Sequence, residues 1–402
     1  MEHLRLHPCF ESLPLPEDLY PLETLEDVRN IRQDSWQWDL LHNGRCTTSQ
    51  AVAALGFLEQ KAGRLLEVPS TWQRRGIGAY TRLRQRALRT LDEMNEELLS
   101  ESVLEQATRM GLSDNNIDKN QSDDFSSKLW KKNNVSTRNA DNNSAFVATY
   151  LHRLSNAEKQ KRKVRAKHVS GNGMGIRMIW GDAQEATSVL TALNYFMQQH
   201  PGCKIKEVGM CGAGLKLNQT DGSSPSNLLI GATPDGVIEY PDGTLQALEV
   251  KNHCPFVTAR QTKRKNVPKK RFTVRDLPFK KPYIFPLYVP QLMLEILCLG
   301  PACQSAIMVR QTATSGALIL RIERDDNWIE EMLYWLQRFQ QDYVDAGVEP
   351  KPNFFFDSPE DGPRYRAFLE KTKDLANKVE VVARLPHRSI QRAGTDYGLF
   401  LD

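Results

Sequence analysis

Three residues whose types and spacing could do chemistry lie close together in the sequence: Asp235, Glu249 and Lys251. Glu249 and Lys251 are two positions apart in an extended run, so on a strand they share one face and lie roughly 7 Å apart. Asp235 lies at a bend on the preceding run, where it can face the same pocket. Two carboxylates can hold Mg²⁺, and a lysine beside them can stabilise a phosphate under attack. The pattern favours metal-dependent phosphodiester hydrolysis, against the alternative of an ordinary hairpin with an exposed Glu/Lys pair.

A β-hairpin is predicted to position these three residues. Its first arm is formed by two apolar runs, Leu228–Ala232 and Gly236–Tyr240, and its second arm by Thr244–Lys251. The turn between the arms is Pro241-Asp242-Gly243, in which proline presets φ and glycine accepts a positive φ. The apolar residues that alternate with the charged pair should point into the opposite layer: Leu248 and Val250.

Composition sets the broad class of the protein. The chain has 402 residues, of which 40% are hydrophobic and 25% are charged, with a net charge of +4, so it can bury a sizeable core. Its seven cysteines form no CxxC pair, which disfavours a disulfide framework and a zinc site. No apolar run reaches membrane-spanning length, and Met1–Tyr20 lacks the pattern of a secretory signal. We expect an intracellular protein of a reducing compartment with no membrane partner, and the nucleus or an organelle stays open.

The chain divides into four predicted segments. Residues 113–144 are rich in Asn, Asp and Ser and have few large apolar residues, which is typical of a disordered insertion. The predicted segments are an N-terminal arm with the first core helix (1–57), a partly disordered accessory insertion (58–170), a catalytic core (171–345) and a C-terminal extension (346–402). Within the extension, Arg364–Arg384 is predicted to be a helix.

Three predicted helices carry a polar residue near their start. Ser49 precedes a helical run that Gly56 closes, so it either caps that helix or, with the nearby Arg45, contacts a phosphate. Glu185 lies near the predicted start of a later helix, where its position suits a first-turn acid. Gln291 lies at the start of a helix that is apolar nearly all round, where its amide can satisfy backbone groups. The resemblance described below gives Glu185 and Gln291 a second interpretation.

One basic segment follows the hairpin directly. Arg260–Lys281 has ten Lys and Arg residues against a single acid, with Phe272 and Phe279 interleaved. The segment is either a solvated loop or a grip on nucleic-acid phosphates with aromatic rings available for stacking. Its central basic run is the predicted contact: Lys269, Lys270, Arg271.

The order of these motifs resembles the YqaJ-like viral recombinase family, or phage lambda exonuclease family, of the PD-(D/E)xK nuclease superfamily. The matching segments are Thr233-Pro234-Asp235-Gly236, Glu249-Val250-Lys251 with Cys254-Pro255 after it, and the Gly181-x-x-x-Glu185 helix. A Tyr288-x-x-Gln291 pair follows, and Trp36–Phe57 is similar to the family's opening motif, with His42 where the family usually has arginine. The resemblance covers Trp36–Phe57 and Gly171–Val344.

The resemblance implies a fold and a set of roles. The fold is a restriction-endonuclease-like α/β core, a mixed central sheet flanked by helices. Mg²⁺, with Mn²⁺ as a substitute, is implied at Asp235, Glu249, the Val250 carbonyl and Glu185. Lys251 is implied to position the nucleophile and Gln291 to orient the site. The implied phosphate and DNA contacts are Ser49, Arg45, His42 and Tyr288.

The resemblance further implies an activity and partners. The activity is 5′-to-3′ digestion of double-stranded DNA ends in recombination or repair, with a recombinase or a single-strand-binding protein as partner. The alternatives are a structure-specific endonuclease and a non-catalytic DNA-binding protein on a nuclease scaffold. RNA as substrate, the oligomeric state and the compartment stay open at this point.

Overall fold

A computed structural model describes residues 4, 7–13, 27–31, 33, 38, 42, 45–84, 173–212, 228–258, 272–275, 278–279 and 282–390. The predicted contacts at Lys269, Lys270 and Arg271 lie outside the described residues. So does most of the predicted accessory insertion.

A seven-stranded mixed sheet forms the centre of the molecule, in the order β1-β3-β5-β6-β9-β10-β11. The β1/β3 and β6/β9 pairs are parallel and the other neighbours are antiparallel. Two short pairs lie outside it, β2/β4 and β7/β8. The strands are β1 (Phe10–Glu11), β2 (Cys46–Thr47), β3 (Lys204–Lys206), β4 (Ile230–Gly231), β5 (Gly236–Glu239), β6 (Leu245–His253), β7 (Phe256–Thr258), β8 (Phe272–Val274), β9 (Cys303–Thr312), β10 (Gly316–Glu323) and β11 (Glu380–Leu385).

Helices cover both faces of this sheet, as the sequence predicts for an α/β core. One face packs against α3, and the other packs against a layer built from α1, α4, α5 and α6. The helices are α1 (Thr48–Ala54), α2 (Gln60–Leu65), α3 (Gly173–Gln199), α4 (Val289–Leu299), α5 (Asp326–Phe339) and α6 (Gly362–Asn377). In the described part of the chain, no helix combines the length and apolar character needed to cross a membrane.

The predicted hairpin is confirmed for β5 and β6. Val237 pairs with Ala247, and Gly243 has a φ of 83° in the turn between the strands. The prediction for Leu228–Ala232 is wrong, because this run is not part of the hairpin arm. Its central residues form β4, which pairs in parallel with β2, and Ala232 forms an isolated bridge with Cys211. The pairing of β2 with β4 therefore places Cys46 and Thr47 of the opening motif beside the segment that precedes Asp235.

Two helix predictions need correction. The helix that carries Glu185 begins at Gly173, so Glu185 lies well inside α3 and is not a first-turn acid. The N-cap of α1 is Thr47, without a side-chain cap hydrogen bond, so Ser49 lies inside the first turn and does not cap the helix. Both errors follow from placing a helix start at the nearest glycine or serine when the helix continues past that residue.

The C-terminal segment shares the core of the preceding residues. Helix α6 ends at Asn377, so the single helix predicted over Arg364–Arg384 is wrong. Its second part is β11, which pairs with β10 at the edge of the sheet. The hydroxyl of Tyr365 in α6 donates to the Leu55 carbonyl after α1. The extension therefore packs against the same apolar layer as the first helix.

Candidate active site

The three residues with predicted chemistry converge at the point where β5 and β6 separate. Glu249 and Lys251 lie on one face of β6, and their side chains form an ion pair. Leu248 and Val250 point to the other face and pack with α3, as the alternation predicts. Asp235, immediately before β5, accepts a hydrogen bond of 2.7 Å from the Val250 amide. A short strand pair thus brings one acid from each strand beside a single ammonium.

The Val250 carbonyl faces the same side of β6 as Asp235. In an extended strand the N–H and C=O of one residue point in the same direction. Since the Val250 N–H points to Asp235, its carbonyl oxygen lies on that side too. The carbonyl is therefore available near the two carboxylates, as the resemblance implies.

The acids of the site outnumber the nearby positive charge. Burial raises the pKa of Asp235 well above its usual value, and the charges of Glu249 and Glu185 raise it further. Glu185 thus acts on Asp235 electrostatically from α3. Burial opposes the charge on Lys251, but Glu249 and Asp235 outweigh it and raise the pKa of the ammonium. Lys251 is therefore charged at neutral pH.

A fourth acid, Glu295, was not predicted from the sequence. It lies one turn after Gln291 on α4, is completely buried, and accepts a hydrogen bond of 2.9 Å from the Gln291 amide nitrogen. Burial and the charge of Glu249 raise its pKa well above the usual value. Its second carboxyl oxygen, Oε2, is buried without a hydrogen-bond partner. The signal was present, because Glu295 is the single charged residue in an otherwise apolar helix.

Tyr288 immediately precedes α4, and Gln291 lies in its first turn. The Lys251 ammonium lies 5.2 Å from the centroid of the Tyr288 ring, a distance typical of a cation–π contact. Gln291 gives its amide N–H to Glu295, which leaves its carbonyl oxygen as the acceptor of that side chain. The start of α4 therefore places the Tyr288 ring against Lys251 and carries one hydrogen-bond acceptor, the Gln291 carbonyl oxygen.

The predicted phosphate residues divide into two groups. The hydroxyl of Thr47 lies 3.3 Å from His42 Nε2 and 3.4 Å from the Ser49 hydroxyl, so these three polar groups are adjacent. Trp38 stacks on His42 and donates a 2.9 Å hydrogen bond to Thr233, two residues before Asp235. The opening motif is thus joined to the carboxylate site through Trp38.

Arg45 belongs to the other group, because its guanidinium is turned into the interior. It is 4% exposed and donates to the Ile230 carbonyl of β4, and burial lowers its pKa to about 10. The guanidinium therefore braces the pairing of β2 with β4. A phosphate contact by Arg45, as predicted, would require that side chain to leave its buried position.

The donor set fits a hard divalent cation that keeps most of its waters. Among the described residues, no group of three or more His, Cys, Asp and Glu side chains is arranged to hold a metal. Two carboxylates and one backbone carbonyl remain as oxygen donors, which suits Mg²⁺ with water in its other positions. Burial and mutual repulsion disfavour the ionised forms of Asp235 and Glu295, and a bound cation would offset that repulsion.

Comparison with known proteins adds little to this geometry. No protein-family model and no curated protein matches the chain. A solved structure, an alkaline exonuclease from Laribacter hongkongensis, matches with 20% identity and a TM-score of 0.23, over 40% of this chain and 68% of that chain. At that TM-score the match assigns neither a family nor an activity to this chain.

Proposed function

We propose that the chain is a metal-dependent deoxyribonuclease built on a PD-(D/E)xK core of the YqaJ-like type. The observation that carries the proposal is the convergence of Asp235, Glu249 and Lys251 where β5 and β6 separate. An ordinary hairpin has no reason to bury two acids beside one ammonium, because each buried charge costs several kcal/mol. Such a cluster is a feature of functional sites rather than of stable cores.

Asp235, Glu249 and the Val250 carbonyl would hold Mg²⁺, or Mn²⁺ in its place, with Glu185 acting through water. When bound, the cation supplies positive charge to the scissile phosphate and acidifies water. The cation would also offset the repulsion among the carboxylates, which adds to the effect of burial in raising the pKa of Asp235. The residues thus fit the group that the resemblance implies.

Lys251 would orient the attacking water and stabilise negative charge on the phosphate. Its raised pKa keeps the ammonium protonated, so it donates hydrogen bonds and does not serve as the base. The carbonyl oxygen of Gln291, held by Glu295, would accept a hydrogen bond from the same water. His42, Thr47 and Ser49 would contact a neighbouring phosphate on the DNA strand.

The proposed substrate is a double-stranded DNA end, digested from 5′ to 3′ during recombination or repair. A recombinase or a single-strand-binding protein would act on the strand that remains. This polarity rests on the resemblance of the opening motif, in which His42 replaces the usual arginine. An assay of substrate and polarity therefore belongs in the first test.

The test compares linear duplexes labelled at either end, with 5′-phosphate or 5′-hydroxyl, and closed circular DNA, in Mg²⁺ and in EDTA. We expect Mg²⁺-dependent loss of linear DNA and no cutting of circles. Asp235→Asn should abolish it, and Lys251→Ala should lower kcat by about 10²- to 10³-fold, the usual effect of losing one transition-state donor.

Matched controls come from the same sheet. Asp242→Asn changes an exposed turn aspartate, and Lys204→Ala removes a lysine that pairs with Glu11 on the far side of the sheet. Both controls should keep wild-type activity. DNA loss that continues in Asp235→Asn and Lys251→Ala would disprove the proposed site, and cutting of circles would favour an endonuclease. Binding without any degradation would leave a non-catalytic DNA-binding protein.

A further inference from the structure

Three aromatic rings form a continuous row from the surface to Lys251. Trp72 contacts Phe285 edge-on with ring centroids 5.7 Å apart, and Phe285 contacts Tyr288 in the same manner at 6.2 Å. The Tyr288 ring then lies 5.2 Å from the Lys251 ammonium. We call these three rings the aromatic row. The candidate catalytic lysine is thereby connected through ring contacts to an exposed indole.

Trp72 is the outer end of this row. Trp72 is 44% exposed. Among the described residues, the other exposed large hydrophobic residues are aliphatic. Backbone hydrogen bonds fix the position of Trp72. Its amide donates to the Pro69 carbonyl, and the amide of Arg74 donates to the Leu58 carbonyl. Part of the indole is therefore open to solvent on a fixed backbone, where a ligand can reach it.

The segment that carries Trp72 is basic. Residues 69–84 contain four arginines and no acid. Arg75 donates to the Pro350 carbonyl and Arg84 to the Val344 carbonyl. Three of the four are exposed: Arg74, Arg75 and Arg82. An exposed aromatic ring on a basic segment suits single-stranded nucleic acid, with stacking for the base and positive charge for the backbone.

We propose that Trp72 is a stacking platform for an unpaired base of the DNA strand whose backbone passes Lys251. The inference rests on the proposed nuclease function for the identity of the ligand. Phe285 contacts the indole at a near-perpendicular angle, and the part of the indole that is open to solvent is left for the base. At about 3.4 Å per stacked nucleotide, the row corresponds to no more than roughly five nucleotides between platform and site.

The test measures binding, without turnover, to two oligonucleotides of about 12 nucleotides, a length within the usual range of single-strand sites. One carries thymine bases and the other has the same sugar-phosphate backbone without bases. The full chain in EDTA is titrated against each by fluorescence anisotropy. Trp72→Ala should weaken binding of the thymine oligonucleotide by about 5- to 100-fold, the range for loss of one stacked base, and leave binding of the baseless one unchanged.

Trp72→Phe should restore most of the lost affinity, because phenylalanine also stacks. Val381→Ala is the matched control, since it shortens another exposed hydrophobic residue on the distant edge strand β11. Equal loss for both oligonucleotides would overturn the inference, as would wild-type affinity of Trp72→Ala or a failure of wild type to bind either one. Because EDTA prevents hydrolysis, a failed nuclease assay leaves this measurement intact, and the two proposals fail separately.

Discussion

Glu59 and Glu295 are both buried carboxylates, yet their surroundings differ. Glu59 is 4% exposed, and its two oxygens accept hydrogen bonds from the backbone amides of Gly76 and Asn353. Glu295 has one oxygen bonded to Gln291 and one without a partner, and its charged neighbours include Glu249 and Asp235. Backbone donors satisfy the first carboxylate, whereas other acids crowd the second.

The difference separates an acid that the fold satisfies from one that it leaves partly unsatisfied. Glu59 joins three distant parts of the chain, so its carboxylate holds the fold together. Glu295 leaves a polar atom unsatisfied, which a fold selected for stability alone would avoid. We therefore expect removal of Glu59 to damage stability, and changes around Glu295 to alter ion binding and pH dependence instead.

The largest expected effect is on the stability of Glu59→Ala. The substitution leaves two buried amides without acceptors, at about 1–3 kcal/mol each, so the free energy of unfolding should fall by about 2–6 kcal/mol. Urea unfolding in EDTA measures it. Glu295→Gln, measured alongside at about pH 5, close to the unfolded pKa of glutamate, should change stability by less than about 1 kcal/mol. A larger loss in Glu295→Gln than in Glu59→Ala would break the comparison.

The next effect is the gain in stability on adding Mg²⁺, which should depend on the buried acids near Glu295 and not on exposed ones. If the acids around Asp235 hold Mg²⁺, a concentration of about 100 times Kd should raise the free energy of unfolding by about 2.7 kcal/mol. Asp235→Asn should lose this gain, whereas Asp242→Asn should keep it. Thermal unfolding with and without Mg²⁺ gives the answer. An equal Mg²⁺ gain in both variants would place the cation elsewhere.

The smallest effect concerns pH. The folded-state pKa of Glu295 is raised above the unfolded value near 4.5, so between these two values the folded chain holds a proton that the unfolded chain releases. Stability contributed by this group is therefore present at low pH and is lost as pH rises, by about 1.4 kcal/mol per pH unit. Urea unfolding in EDTA at a series of pH values above about 5 should show stability that falls more, or rises less, with pH in wild type than in Glu295→Gln. Identical slopes would contradict the raised pKa.

Local chemistry accounts for what the sequence predicted well. The turn at Pro241-Asp242-Gly243 and the alternation along β6 depend on neighbouring residues, so both the hairpin and the shared face of Glu249 and Lys251 could be read directly. The start of α4 followed from the Pro290 signal and the apolar run, whereas a place for Tyr288 near Lys251 was implied by the resemblance alone.

Distant pairing accounts for what the sequence did not predict. The pairing of β4 with β2 joins residues far apart in the chain, and nothing in Leu228–Ala232 distinguishes it from a hairpin arm. The inward turn of Arg45 depends on that same pairing. Glu295 was missed because an apolar helix was interpreted as pure core, although a lone charge in such a helix was itself the signal.

The edge strand β11 has a consequence for how the protein behaves in a crowded solution. It covers β10, whose Leu318, Ile319 and Leu320 are fully buried, and it presents Glu380 to water at the outer edge. Without it, β10 would offer a row of open backbone hydrogen-bonding groups on a strongly apolar strand, which is a template for pairing with another molecule. The last strand of the sheet thus replaces an apolar edge with one that carries exposed Glu380.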